Sequence, residues 1–230
     1  MIKSSTAQTT LRGVKVCVFD LDCTIFDSRY VWDAIDDEFL RKRGKAPTDE
    51  YKRKIATLGS YEVAKFTVKF YGLDDTPDDL EREWLDMALH EYSNIVPLFP
   101  CVKEYIENVS AAGIRIVAAT SVVRELAEPC LKRHGILGLF EKIYTANEMG
   151  LGKSSPEFYA HIACDMNVAP AEFVVFDDAV KALRSAKKTG MRTVAVCGAG
   201  GFADGLRAGK KTADLLMCGF DNAPRLVREL

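Results

Sequence analysis

Short apolar runs that end in polar residues recur along the second half of the chain and once near its start. The run Val14–Phe19 is rich in β-branched residues and stops at Asp20, so it predicts a buried strand. The same pattern predicts further strands at Ile114–Ala119, Lys142–Thr145, Phe173–Phe176 and Thr193–Cys197. Between these strands, helical spacing predicts helices at Val102–Ala112, Val122–His134, Pro156–Met166 and Val180–Thr189. This alternation is typical of a parallel sheet with helical crossovers.

Two prolines bear on these helices. Pro129 lies inside the second one, where it should kink or interrupt the helix. Pro156 fits the first position of the third helix, and Ser155 before it can act as the cap.

Residues 30–94 show a different pattern, with apolar positions at helical spacing and no strand. Val31, Ile35 and Phe39 recur every four residues, after Asp27 or Ser28 as the expected cap. Two or three more helices are predicted, at Asp49–Leu58, at Tyr61–Tyr71 and from Pro77 onward, the last with Thr76 as its cap and Pro77 at its first position. We therefore expect an all-helical domain at residues 30–94, inserted into an α/β core of residues 13–29 and 95–230.

Composition and charge exclude several classes of protein. The 230 residues include 31 Lys and Arg against 33 Asp and Glu, a formal charge of −2, which argues against a nucleic-acid partner. No segment approaches about 18 uninterrupted apolar residues, and Met1–Thr10 lacks the apolar core of a signal peptide. The seven cysteines are scattered without a C-x-x-C pair, which is typical of reduced thiols. We expect a cytoplasmic protein with no membrane contact.

Polar residues cluster where the predicted strands end. The first strand runs into Asp20-Leu21-Asp22-Cys23-Thr24, and the second into Thr120-Ser121. Lys153 lies in a loop before a helix, and Asp177-Asp178 follow the fourth strand. Ligands of an open parallel sheet bind at the carboxyl ends of its strands. Each group alone is a weak signal, since turns and surfaces contain such residues, but the ordered set of four indicates a functional site.

This ordered set resembles the four motifs of the haloacid dehalogenase superfamily, specifically its helical-cap phosphatases, the group of phosphoglycolate phosphatase and β-phosphoglucomutase. The matching segments are residues 18–28, 117–121, 152–157 and 175–178 with 186–191, and the likeness runs from about Val14 to the C-terminus. It implies a Rossmann-like parallel sheet with the first strand at its centre, beside the second and fourth, and an inserted helical cap. Cys23, Ser154 and Ala182 depart from the family's commonest residues without removing a chemical group.

The resemblance implies a role for each site residue. Asp20 is expected to be the nucleophile that forms an aspartyl-phosphate, and Asp22 the acid and base for the leaving oxygen and the attacking water. An Asp at position 22 favours phosphate-ester chemistry over dehalogenation. Thr120 and the Ser121 amide are expected to bind the phosphoryl group, and Lys153 to neutralise it.

The resemblance also implies a Mg²⁺ cofactor. The expected ligands are the carboxylates of Asp20 and Asp178 and the main-chain carbonyl of Asp22. Asp177 is expected to contact the groups that hold the metal and to orient them. In the cap, the loop Leu58–Glu62 with Gly59 is the expected specificity segment that touches the substrate, although a plain interhelical turn is equally compatible.

The preferred interpretation is a Mg²⁺-dependent phosphatase that acts on a small phosphorylated metabolite. A phosphosugar mutase similar to β-phosphoglucomutase shares the four motifs, but no basic residues near Gly59 match a second phosphate site. A receiver-like phospho-Asp signalling module also uses Asp, Thr or Ser, and Lys at strand ends, in a different chain order. A non-catalytic binding protein would not need the complete acidic set. Nothing in the sequence indicates an oligomeric state.

Overall fold

A computed structural model describes residues 9–55, 58, 60–197 and 212–229. The chain divides into two compact units, one that contains Arg29–Val96 and one that contains the residues before and after that segment. Among the described helices, none combines the length and the apolar character that crossing a bilayer requires.

The unit formed by the residues before and after Arg29–Val96, here called the α/β unit, is built on a six-stranded sheet. Its strands are β2 (Val16–Phe19), β3 (Arg115–Thr120), β4 (Lys142–Thr145), β5 (Phe173–Asp177), β6 (Arg192–Val196) and β7 (Leu215–Met217). Their order in the sheet is β4-β3-β2-β5-β6-β7. Every neighbouring pair is parallel. The strand nearest the N-terminus in this sheet lies between β3 and β5, so the predicted parallel sheet and its central strand are confirmed.

Both faces of this sheet are buried. Alternate residues of a strand point to opposite faces, and successive residues of the central strands are all buried. On one face, Val18 and Val175 belong to a core cluster with Phe158 and Ile162 of a covering helix. On the other face, the Phe19 and Phe176 rings stack with their centroids 5.0 Å apart. Burial on both faces explains why these strands read as continuous apolar runs.

The helices of this unit are α5 (Val102–Ala111), α6 (Arg124–Arg133), α7 (Ala146–Met149), α8 (Pro156–Met166) and α9 (Val180–Lys188). Helix α6 is continuous across Pro129, so the proline does not interrupt it. Ser155 precedes α8, but its hydroxyl donates a hydrogen bond to the Glu157 carboxylate instead of accepting one from a helix N–H. The predicted cap by the Ser155 side chain is therefore wrong.

Three short strands lie outside the sequence prediction. Besides β7, the strands β1 (Thr10–Arg12) and β8 (Arg225–Val227) pair in parallel as a separate two-stranded sheet. Each of the three contains only three residues. A period of two residues cannot be recognised in so few positions, so these strands depend on tertiary pairing.

The unit Arg29–Val96, here called the helical unit, contains the helices α1 (Val31–Lys42), α2 (Asp49–Ile55), α3 (Ser60–Tyr71) and α4 (Pro77–Asn94). Aromatic side chains fill its interior. The Phe39 and Trp84 rings meet edge to face at 5.4 Å, and Tyr51 packs on Phe66, Phe70 and Tyr71. The Tyr51 hydroxyl lies 3.0 Å from Thr67 Oγ1, so this buried phenol is hydrogen-bonded.

The start of α1 differs from the prediction. The helix begins at Val31 after Tyr30, without a side-chain cap. Neither Asp27 nor Ser28 caps it, and the Ser28 hydroxyl instead donates to the Asp22 carboxylate at 2.9 Å. A tertiary partner has replaced the local role that the sequence suggested.

Candidate active site

Asp20 stands at the centre of the carboxyl edge of the large sheet. Strands β2 and β5 pair with Phe19 opposite Phe176, and the Asp20 amide donates a hydrogen bond to the Phe176 carbonyl at 2.9 Å. This register places Asp20 beside Asp177, the last residue of β5. Both residues are buried, with 3% and 0% of their surface exposed, so two carboxylates are held together away from bulk water.

Lys153 joins the two carboxylates. Its Nζ donates hydrogen bonds to Asp20 Oδ1 and, at 2.9 Å, to Asp177 Oδ2. Burial alone would lower the pKa of Lys153, but the charges of Asp177 and Asp20 raise it above its usual value. The ammonium is therefore held in its charged form, where it offsets the repulsion between the carboxylates.

The loop that presents Lys153 is anchored to the adjacent helix. The Ser185 hydroxyl of α9 donates a hydrogen bond to the Ser154 carbonyl at 2.6 Å. Asp177 is fixed in turn, because its second oxygen, Oδ1, accepts the Ala179 amide at 2.8 Å. Both oxygens of Asp177 are thus used to hold protein groups, which makes it an orienting residue for Lys153.

Asp178 completes an acidic cluster with Asp20 and Asp177. One carboxylate oxygen from each residue lies within 4.8 Å of the others. Partial burial of its carboxylate and the charge of Asp20 raise the pKa of Asp178 to about 6. Three carboxylates this close repel each other unless a cation lies between them, and hard oxygen donors are what Mg²⁺ prefers. The donor set therefore fits a divalent metal.

Asp22 lies two residues beyond Asp20 and is half-buried. Its carboxylate accepts the Ser28 hydroxyl, and the same hydroxyl accepts the Cys23 amide at 3.3 Å. Cys23 adopts a left-handed backbone with φ of 59°, a conformation that most side chains avoid and that glycine adopts without strain. Burial and the nearby Asp178 and Asp22 charges raise the pKa of the Cys23 thiol to about 12.

Thr120 is the last residue of β3, and its side chain is fully buried. Its Oγ1 accepts the Val122 amide at 3.0 Å, which fixes the turn that follows the strand. Ser121, the next residue, is exposed, so its main chain lies at the surface of this edge. Gly59, predicted as a substrate contact, lies outside the described residues.

Three further side chains belong to the site, and none of them was predicted as a catalytic or binding residue. The Thr24 hydroxyl donates to Asp20 Oδ2 at 3.0 Å, and Ser28 holds Asp22 as described. The Tyr159 hydroxyl is buried without a hydrogen-bond partner among the described residues, and burial and the Asp177 charge raise its pKa. Thr24 and Ser28 lie within the first motif, so their spacing was a usable signal, whereas Tyr159 reads as an ordinary core residue of α8.

Comparison with known proteins decides the family. Residues 17–196 match the family model described as haloacid dehalogenase-like hydrolase. The chain belongs to this family. The match covers the strands that carry Asp20, Thr120 and Asp177, and the loop of Lys153, so the four segments that suggested the resemblance are all included.

Two curated relatives of this haloacid dehalogenase-like hydrolase are phosphatases. A phosphorylated carbohydrates phosphatase of Thermotoga maritima is 22% identical over 181 residues, 79% of this chain and 84% of that protein. Hexitol phosphatase B of Escherichia coli K12 is 22% identical over 194 residues, 82% of this chain and 86% of that protein. Together with the family match, these relatives confirm the predicted enzyme class, a phosphate-monoester hydrolase.

Solved structures support the fold. A candidate β-phosphoglucomutase from Thermotoga maritima superposes with a TM-score of 0.78 at 22% identity, over 91% of this chain and 96% of that one. Because the agreement includes most of both chains, it confirms the predicted α/β fold with its additional helical domain.

Proposed function

We propose that this haloacid dehalogenase-like hydrolase removes the phosphate group from a small phosphorylated metabolite through an aspartyl-phosphate on Asp20. The observation that carries the proposal is the contact of Lys153 with Asp20 and Asp177 at the sheet edge, beside a metal-compatible acidic cluster. The names of the curated relatives favour a sugar phosphate or a similar compound as substrate.

Asp20 is the proposed nucleophile. Its position at the end of a buried strand and its contacts with Thr24 and Lys153 fix the carboxylate in one orientation. A phosphate ester resists attack mainly through its own negative charge. Catalysis therefore depends on holding the nucleophile in position and on neutralising that charge. Lys153 would then bind the transferring phosphoryl group as well as Asp20, which lowers the electrostatic barrier.

Asp22 is the proposed general acid and base. Its carboxylate accepts the Ser28 hydroxyl and is less buried than that of Asp20, so it can exchange protons with a leaving oxygen or with water. Thr120 and the Ser121 amide are the proposed phosphate contacts, because they end the neighbouring strand β3 at the same edge.

Mg²⁺ is the proposed cofactor, held by the carboxylates of Asp20 and Asp178 and the main-chain carbonyl of Asp22. When bound, the ion would neutralise the negative charge of the phosphate and of the acidic cluster. Asp177 would not need to contact it, since both of its oxygens already bind Lys153 and Ala179. A cytoplasmic location agrees with this chemistry and stays a prediction.

Residues 30–94 are proposed to act as the specificity cap. Within the helical unit, a pocket of about 460 Å³ is lined by apolar and charged side chains, among them Trp32, Asp36, Leu58 and Trp84. The indole N–H of Trp84 is buried without an acceptor among the described residues. A pocket of this size and lining suits a small molecule with both apolar and polar groups. Gly59 stays a predicted contact next to Leu58.

The experiment is phosphate release from a panel of small phosphorylated metabolites, with Mg²⁺ and with a chelator, for the parent protein and Asp20→Asn. We expect metal-dependent release that the substitution abolishes. Brief reaction with labelled substrate and acid quenching should trap label on the parent protein and none on the variant. Release that survives in Asp20→Asn would contradict the proposal.

The mutase alternative gives a different result in the same assay. A phosphosugar mutase would convert one sugar phosphate into its isomer and release little free phosphate. A receiver-like module would keep its phosphate for a long time after treatment with acetyl phosphate, and would not turn over. The family match favours neither alternative over hydrolysis.

A further inference from the structure

Cys197 and Cys218 lie side by side at the carboxyl edge of the large sheet. Strands β6 and β7 run parallel with Val196 opposite Met217, so the next residue of each strand is a cysteine. The ladder reaches this point, because the Cys197 amide donates a hydrogen bond to the Met217 carbonyl at 2.8 Å. Neighbouring strands are about 4.8 Å apart, and paired residues of a parallel ladder point to the same face.

The electrostatics agree with this proximity. Burial and the neighbouring Cys218 thiol raise the pKa of Cys197. Their exposure differs, since Cys218 is open to solvent while Cys197 is half-buried. One thiol can therefore meet a reagent from solution while the other lies directly behind it.

We propose that Cys197 and Cys218 form a vicinal dithiol, a covalent modification site that small-molecule disulfides such as oxidised glutathione convert into a reversible intramolecular disulfide. The proposal concerns residues outside the phosphate-binding motifs and does not depend on the proposed hydrolysis.

The reaction balances in two exchange steps. The Cys218 thiolate attacks one sulfur of oxidised glutathione, so a mixed disulfide forms, the glutathione S–S bond breaks and one glutathione thiolate leaves. The Cys197 sulfur then loses its proton to solvent and attacks the Cys218 sulfur, which releases the second glutathione thiolate. The two protein thiols are oxidised, and one glutathione disulfide is reduced to two thiols.

The backbone permits the crosslink. A disulfide needs Cα atoms about 4.4–6.8 Å apart, which includes the spacing of adjacent strands. Its Cβ atoms must come closer than in a regular ladder, and both cysteines lie one residue beyond the end of their strands, where the chain can adjust. Such a bond is expected to be readily reducible, as exposed and slightly strained disulfides are.

The pair lies close to the catalytic edge. Strand β5 pairs with β6 so that Asp177 is opposite Ala195, two residues before Cys197. The negative charge of Asp178 also reaches Cys197 and adds to the rise of its pKa. A crosslink here would therefore form on the strand next to the one that carries the acidic cluster.

The test exposes the full-length protein to increasing ratios of oxidised to reduced glutathione, followed by acid quenching, alkylation of free thiols and peptide mass mapping. Cys101 and Cys164 are exposed thiols outside the pair and serve as internal controls. The oxidant is raised until both controls carry glutathione. At that point we expect the Cys197 and Cys218 peptides to be joined, with loss of two hydrogen atoms, and to separate again on reduction.

The single variants sharpen the result. In Cys197→Ser, we expect Cys218 to keep glutathione as a stable mixed disulfide, and in Cys218→Ser, no crosslink. In the parent protein, a stable glutathione adduct on Cys218, or two alkylated free thiols while both controls are modified, would overturn the proposal. A crosslink between other cysteines would overturn it as well.

Discussion

The two units of the molecule differ in how deeply they bury their least exposed ion pairs. In the α/β unit, the side chains of Lys153, Asp20 and Asp177 form ion pairs with at most 9% of their surface exposed. In the helical unit, the Arg43 guanidinium binds Asp75 and Glu83 with 19% to 30% exposure. Burying charge costs free energy that a structural ion pair rarely recovers. The difference is expected if the buried set serves the proposed reaction and the half-exposed set serves local stability.

The balance of charge also differs between the buried Lys153 cluster and the half-exposed Arg43 network. The buried cluster contains more negative than positive groups, since Asp178 adds to Asp20 and Asp177 around one ammonium. Such a set is electrostatically incomplete, as expected for a site that binds a cation. The Arg43 network is satisfied by its own partners, because the guanidinium binds two carboxylates and lies 3.7 Å from the centre of the Phe39 ring.

Lys153→Met should have the largest effect. The variant would lose phosphatase activity and leave two buried carboxylates without a cation, which costs about 3–5 kcal/mol of unfolding free energy. Urea unfolding in metal-free buffer at neutral pH measures this loss. Lys187→Met is the matched control, since the Lys187–Asp214 ion pair is solvent-exposed. If both substitutions destabilise the protein equally, the buried carboxylates are not charged in the fold and the comparison of the two units fails.

Arg43→Met should have an intermediate effect, confined to stability. The substitution removes hydrogen bonds to Asp75 and Glu83 and the contact with the Phe39 ring, so we expect a loss of about 1–3 kcal/mol. Arg43→Lys keeps the charge but not the forked geometry, and should recover only part of this loss. Unfolding and phosphate release measured together provide the check. A large fall in the turnover number at full folding would give Arg43 a role beyond structure.

For the α/β unit, the sequence predicted the longer strands well, but not the short strands or the side-chain contacts. The five longer strands were predicted correctly because buried parallel strands form clear apolar runs, whereas the central position of β2 followed from the family resemblance. The strands β1, β7 and β8 were missed, since three residues carry no readable period. The motif segments fixed which residues meet at the sheet edge. They did not show that Lys153 touches Asp177 as well as Asp20, because long-range side-chain contacts leave no local pattern.

In the helical unit, the helices were predicted correctly from the spacing of apolar residues, but one helix cap was not. The cap expected for α1 was wrong, and the Ser28 hydroxyl binds the Asp22 carboxylate instead. The cap of α4 was right, since Thr76 and Pro77 need no distant partner to act. A capping signal was therefore reliable at Thr76, whose hydroxyl accepts a helix amide, and failed at Ser28 and Ser155, whose hydroxyls bind carboxylates and do not accept a helix amide.

Asp36→Asn should stabilise the protein in a pH-dependent way. Burial raises the pKa of Asp36 from 3.8 to about 6, so the folded state favours the protonated form. Folding therefore loses stability as pH rises from about 4 to 6, and the neutral amide avoids this loss. We expect a gain of about 1–2 kcal/mol at pH 7.5, less than the full shift implies because the carboxylate is partly solvated.

The gain from Asp36→Asn should vanish at pH 4, where the carboxyl of the parent is largely protonated. Thermal unfolding at both pH values measures it, with Asp86→Asn as the control because Asp86 is exposed on α4. An equal gain at both pH values would mean that the amide stabilises through packing. The buried carboxylate of the helical unit would then carry no electrostatic cost.

Thr76→Ala should have the smallest effect. Thr76 Oγ1 accepts the Asp79 amide at 3.2 Å, and the Asp79 carboxylate accepts the Thr76 amide at 3.2 Å, which together form a capping box. Loss of a threonine cap costs about 1 kcal/mol, and Thr76→Ser should recover most of it. Urea unfolding measures the loss, and phosphate release should not change. A fall in activity at unchanged stability would contradict this prediction, because it would show that the start of α4 affects catalysis directly.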